Sequence, residues 1–170
     1  MNALKAFNEC YYNNASGNEL ESIIMTSPEF AYRYANCILK VRWPAAESVI
    51  MTSPKWACRY SRFVIRGPWP EAESIIMTNL KWAYRYASDV IKGECPQMET
   101  VISKSPAYSY YYARYVIKKR FPLGENVMNS DEFYSARYKK YVYTAPDISY
   151  KLSICMLMIC IAIYYKYTNY

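Results

Sequence analysis

The side chains of this chain that could do chemistry are cationic, carboxylic and phenolic, and their spacing is regular. Histidine is absent, so no imidazole base, catalytic triad or imidazole metal ligand can be assembled. The cysteines, Cys10, Cys37, Cys58, Cys95, Cys155 and Cys160, form no C-x-x-C pair. That argues against a zinc site and against a disulfide framework, and it reads as free thiols in a reducing compartment. A cysteine nucleophile would need a base beside it, and no base partner is visible. The glycines, Gly17, Gly67, Gly93 and Gly124, are too scattered to cradle a phosphate. One ordered set of carboxylates remains: Glu21, Glu47, Glu73, Glu99 and Glu125, at a constant spacing of 26 residues. Each falls in the first turn of an expected helix, where the positive end of the helix dipole accounts for a carboxylate without catalysis. The expectation is a chain with no enzymatic activity, no cofactor, no metal and no small-molecule substrate.

The cations carry more. Formal net charge is +7, and it is unevenly spread: Lys55, Arg59, Arg62 and Arg66 face a single Glu47 in one stretch, and Lys104, Arg114, Lys118, Lys119 and Arg120 face a single Glu99 in another. Three outward helical positions, followed through successive copies of the repeat, read Arg33, Asn36, Lys40; Arg59, Arg62, Arg66; Arg85, Ser88, Lys92; and Tyr111, Arg114, Lys118. None is acidic. Packed helices lie ~8–10 Å apart, so stacking would align these side chains into a positive ladder, with Tyr32, Tyr84 and Tyr110 at a flanking phase. Cations interleaved with aromatics suit an acidic protein surface or a nucleic-acid backbone. Duplication alone can also copy a solvated charged face, and Glu29, four residues before Arg33, would neutralise part of it.

The elements that must position this ladder follow from the repeat. Pro44, Pro70, Pro96 and Pro122 recur every 26 residues, as do Phe30, Trp56, Trp82 and Tyr108. A period of 20–50 residues signals a stacked array rather than one wrapped core. Each copy holds a short helix such as Glu71–Met77, preceded by proline, and a longer one. Ser53-Pro54 and Ser27-Pro28 read as N-cap and N1 of that longer helix, and Gly67 and Gly93 suit its left-handed C′ position. At 100° per residue Trp56, Ala57, Tyr60, Phe63 and Val64 share one face and Arg59, Arg62 and Arg66 the other, so the segment is an amphipathic helix. One such pair cannot bury its apolar face alone; neighbours must stack.

The expected fold is therefore all-α: a solenoid of two-helix repeats, short helix plus longer helix, capped by a C-terminal apolar helix. Residues 1–18 read as an N-terminal capping half-repeat with Leu4, Phe7, Cys10 and Tyr11 at helical spacing. Residues 19–146 hold five units, the last eroded, and residues 147–170 hold the apolar helix. Within it, residues 152–165 are uncharged; at fourteen residues this is shorter than the ~17–20 a spanning helix needs. It is expected to cover the open end of the array or, alternatively, to anchor in a membrane. The first residues carry no apolar leader-like stretch. Twenty-one tyrosines are expected to give core area with their hydroxyls reaching water or a partner.

The unit running from Trp69 to Gly93, Trp-Pro-Glu-Ala-Glu-Ser-Ile-Ile-Met-Thr followed by Lys-Trp-Ala-Tyr-Arg-Tyr-Ala and Val-Ile-Lys-Gly, resembles a family of short Tyr/Ala-rich helical repeats found in tailed bacteriophages and other large DNA viruses. The resemblance covers residues 19–122 and, more weakly, the stretch to Pro146. It implies an all-helical array and a viral accessory protein acting in the host cytoplasm. It carries no active-site residue. The resulting expectation is a binding scaffold for an acidic protein partner, contacted through Arg33, Lys40, Arg59, Arg62, Arg66, Arg85, Lys92, Arg114 and Lys118 with Tyr32, Tyr84 and Tyr110. Nucleic-acid binding through the same ladder, and a membrane-anchored form held by residues 152–165, are the alternatives.

Overall fold

The computed structural model describes residues 1–143; the tail expected to form a cap or anchor, residues 147–170, and Pro146 lie outside them. The chain is all-α. A lone helix, α1 (Ala3–Tyr12), precedes paired helices. The short members are α2 (Asn18–Ile24), α4 (Pro44–Ile50), α6 (Pro70–Ile76), α8 (Pro96–Ile102) and α10 (Pro122–Asn129). The longer members begin as α3 (Pro28–Tyr34), α5 (Pro54–Tyr60), α7 (Leu80–Arg85), α9 (Pro106–Tyr111) and α11 (Glu132–Tyr138). Each of these widens without a break into a π-helical segment: Ala35–Leu39, Ser61–Ile65, Tyr86–Ile91, Tyr112–Ile117 and Lys139–Tyr143. Each π segment touches the next, so they run as one row along the array.

Stacking is carried by columns that repeat with the period. Ile24, Ile50, Ile76, Ile102 and Met128 are fully buried at the same place in successive units; each such side chain contributes about 1.5–3 kcal/mol relative to exposure. Small residues beside them let helices approach: Ala31, Ala57, Ala83 and Ser109 in one column, Ala35, Ser61, Ala87 and Ala113 in another, all buried. The two serines in these columns donate to the carbonyls of Ala57 and Ile102, so neither hydroxyl is orphaned. Ring contacts cross from unit to unit: Tyr32 stacks on Trp56 at 5.4 Å, and Tyr84 meets Tyr108 at 5.3 Å.

A second column ties each longer helix to the start of its own short helix through hydrogen bonds and to the next unit through ring packing. Tyr60 Oη accepts from the Trp43 N–H at 2.6 Å and donates to Glu47 Oε1 at 3.0 Å. Tyr86 does the same with Trp69 N–H and Glu73, Tyr112 with Cys95 N–H and Glu99, and Tyr138 with Phe121 N–H and Glu125. Tyr34 donates to Glu21. The ring of Tyr60 meanwhile packs on Trp69 of the following unit, centroids 5.1 Å apart, and Tyr34 and Tyr112 pack on Trp43 and Phe121 likewise. One phenol thus ties the start of its own short helix to the start of the next. The glutamate column, explained from sequence by the helix dipole alone, is the acceptor of this bond. Arg42 and Arg120 add two-pronged bonds to Glu47 and Glu125 at 2.8–2.9 Å.

Several expectations are corrected. Phe63 is exposed at 46%, and Ser61 is buried instead. The i→i+5 bonds of the π segment hold more residues per turn, so beyond Tyr60 a 100° step places side chains on the wrong face. Gly67 and Gly93 do not take the left-handed position; the residue before each does. Ser27 and Ser53 occupy the N-cap position with proline at N1, yet their side chains accept no capping bond, whereas Asn79 and Asp131 do. In α1 the buried stripe is Ala3, Ala6, Phe7 and Cys10. Leu4 and Tyr11 are exposed, because a true i, i+3, i+4, i+7 set starts one residue earlier.

Candidate binding surface

The ladder expected from sequence sits on the longer helices, and the structure divides it by what each side chain is doing. Every π segment in the first four units ends on a cation in the left-handed conformation: Lys40, Arg66, Lys92 and Lys118, with φ between 54 and 62°. The first three close the segment by backbone N–H bonds to the carbonyls of Ala35, Ser61 and Ala87. Left-handed backbone costs a non-glycine residue ~1–2 kcal/mol, and a long unbranched side chain tolerates it because only Cβ is crowded. The consequence is directional. The chain turns sharply there, and the four side chains are exposed at one level of successive units. Among the described residues none of the four has a carboxylate partner.

The remaining ladder cations are engaged. Arg33 pairs with Glu29 at 2.6 Å. Arg62 reaches across to Asp89 of the next unit, and Arg85 meets the same carboxylate at 3.4 Å. Arg59 lies over the Trp56 ring at 5.1 Å. Arg114 lies over Tyr141 of the next unit at 4.3 Å and over Tyr115 at 5.3 Å, and it donates to the Tyr141 carbonyl. Asp89 was not foreseen: it stands between ladder positions, one residue past Ser88, and the widened helix turns it toward Arg62.

The flanking tyrosines are not a stacking platform. Tyr32 is 7% exposed and Tyr110 2% exposed, and Tyr84 is half-buried. Burial pushes all three phenols up from their ordinary pKa. They belong to the ring contacts between units. The aromatics that do lie open on this surface are Phe63, Tyr115 and Tyr141, which share one phase of the period and were masked by the 100° assumption. Two open grooves form between units at corresponding places. One, about 480 Å³, lies mainly between the second and third units and is lined by Arg62, Phe63, Arg66, Val90 and Lys92, with Asp89, the partner of Arg62, and Asn36 of the first unit at its edge. The other, about 320 Å³, lies between the fourth and fifth and is lined by Arg114, Tyr115, Lys118, Tyr141 and Val142.

Of the thiols, Cys10, Cys58 and Cys95 are buried and Cys37 is exposed; burial raises the Cys58 thiol to about 12. Among the described residues no group of three or more histidine, cysteine or acidic side chains could hold a metal ion. No helix among them is long and apolar enough to cross a membrane. Comparison with protein-family models, curated proteins and solved structures finds no match to this chain.

Proposed function

We propose that this chain is a non-enzymatic binding scaffold whose row of π segments holds an acidic protein partner. One observation carries the reading: Lys40, Arg66, Lys92 and Lys118 repeat along the row, exposed, each fixed at a sharp backbone turn, and without a carboxylate partner among the described residues. Unpaired cations in register attract an extended acidic surface and add specificity and association rate more than raw affinity. Protein is favoured over nucleic acid because the buried Tyr32 and Tyr110 cannot stack on bases, and the open aromatics Phe63, Tyr115 and Tyr141 are interrupted at Asp89, so no unbroken stacking column runs along the row. The setting, a viral accessory protein in the host cytoplasm, rests on the resemblance of the repeat alone.

The test is fluorescence anisotropy with a labelled acidic peptide and a single-stranded oligonucleotide of equal charge, each titrated at several salt concentrations. The reading expects saturable binding of the peptide and weaker binding of the oligonucleotide. Tight oligonucleotide binding that falls log-linearly with salt, with no saturable peptide binding, would overturn it.

A further inference from the structure

Resting on that reading, the spacing of the two grooves defines the partner more closely. Along the π segments, the place that can supply an arginine, an aromatic and a left-handed cation alternates. It reads Asn36, Cys37, Lys40, then Arg62, Phe63, Arg66, then Ser88, Asp89, Lys92, then Arg114, Tyr115, Lys118. Only the second and fourth hold the full set, and these line the two grooves. In each, the arginine is held in place from the next unit, Arg62 by Asp89 and Arg114 by Tyr141. The neighbouring left-handed cation is uncommitted among the described residues. Each groove also has an apolar side: Phe63 with Val90 in one, Tyr115 with Tyr141 and Val142 in the other. A site that pairs fixed and free cations with an apolar wall suits an apolar side chain flanked by carboxylates.

The grooves stand two units apart. Neighbouring helices lie ~8–10 Å apart, so the separation is roughly 16–20 Å. An extended chain advances ~3.3 Å per residue, which makes that distance about five to six residues. Side chains of a strand alternate faces, so only an even spacing presents both to the same surface. We propose that the partner is an extended acidic segment carrying two large apolar side chains six residues apart, one seated beside Phe63 and the other beside Tyr115. The intervening carboxylates meet Lys92, beside an Asp89 whose charge Arg62 and Arg85 already offset, and the ends meet Arg66 and Lys118.

Peptides of one length and one acidic charge test this with the full chain, bearing two leucines at spacings of two, five, six or ten residues, or one leucine only. Two anchors engaged together should bind at least about tenfold more tightly than one. The expected result is that gain at spacing six alone, and its loss in both Phe63→Ser and Tyr115→Ser. Both side chains are exposed, and circular dichroism checks that each variant keeps its helix content. Equal affinity at every spacing would overturn the two-anchor inference while leaving an acidic partner in place. No saturable binding of any of these peptides would remove both, and equal affinity for a single-stranded oligonucleotide would replace the protein partner with nucleic acid.

Discussion

Removing one hydroxyl should weaken the array measurably. In Tyr86→Phe the ring and its packing remain, but the hydroxyl between the Trp69 N–H, 2.7 Å away, and Glu73, 3.0 Å away, is gone. Trp69 is almost wholly buried, at 2% exposure, so its N–H loses its acceptor with no ready access to water. A buried donor left unpaired costs about 1–3 kcal/mol. Glu73 is half-buried and can recruit water, so its lost bond adds less. The expected cost is about 2 kcal/mol, seen in urea unfolding as a lower midpoint with an unchanged slope. Tyr32→Phe is the control: its ring also sits in the core, but its hydroxyl has no hydrogen-bond partner among the described residues, and the expected cost is within about 0.5 kcal/mol. Equal costs for the two variants would refute the assignment of stability to the hydroxyl bonds.

The same bonds set a pH limit. Burial and the neighbouring glutamates hold the phenols of Tyr34, Tyr60 and Tyr138 up at about 12, and those of Tyr86 and Tyr112 higher still. An unfolded tyrosine titrates near ~10, so this stability is full below that value and is lost as pH rises through the folded values; tyrosinate absorbance and circular dichroism should change together in that window. On the acid side, the Arg42 hydrogen bonds hold Glu47 below the ordinary carboxylate range. Their contribution is present above ~4.3 and disappears as pH falls through the folded value, so Arg42→Gln should be less stable than the parent at neutral pH and equal to it in strong acid. Gly67→Ala, at a site with open space and no left-handed backbone, should stabilise by about 0.4–1 kcal/mol. Gly124→Ala should destabilise by about 1–3 kcal/mol, because a methyl there would lie 2.6 Å from Phe121 and 2.7 Å from Ser109; thermal melts decide both.

The proline, glutamate and aromatic columns made the repeat and its two helices legible in the sequence, because stacking demands the same residue type at the same place in every copy. The π widening was not legible. It depends on how the end of one helix fits against its neighbour, and nothing in the order Ser61-Arg62-Phe63-Val64 distinguishes i→i+5 from i→i+4 bonding. That one omission put Phe63 in the core, hid the open column of Phe63, Tyr115 and Tyr141, and assigned the left-handed turn to Gly67 and Gly93 rather than to Arg66 and Lys92. The tyrosine bond was within reach: Tyr34, Tyr60, Tyr86, Tyr112 and Tyr138 keep the period, each 13 residues after a glutamate of the column. Helical periodicity sorted Tyr60 to the buried side correctly but did not ask where its hydroxyl goes. The outward phase of the cations was readable; the burial of Tyr32 and Tyr110 and the division among the cations were not, since Asp89 reaches Arg62 across 27 residues of chain.

The division of the ladder is the claim on which the functional account stands, and it is tested by removing the same charge from two places. Binding of one acidic peptide to Arg66→Ala/Lys118→Ala is compared with binding to Arg33→Ala/Arg85→Ala, the stability of each being measured alongside. The account predicts at least about a tenfold loss for the first pair, from two lost interactions near 0.7 kcal/mol or more each, and less than about a twofold loss for the second. Equal losses in the two double variants would mean that affinity follows net charge alone, and would contradict it.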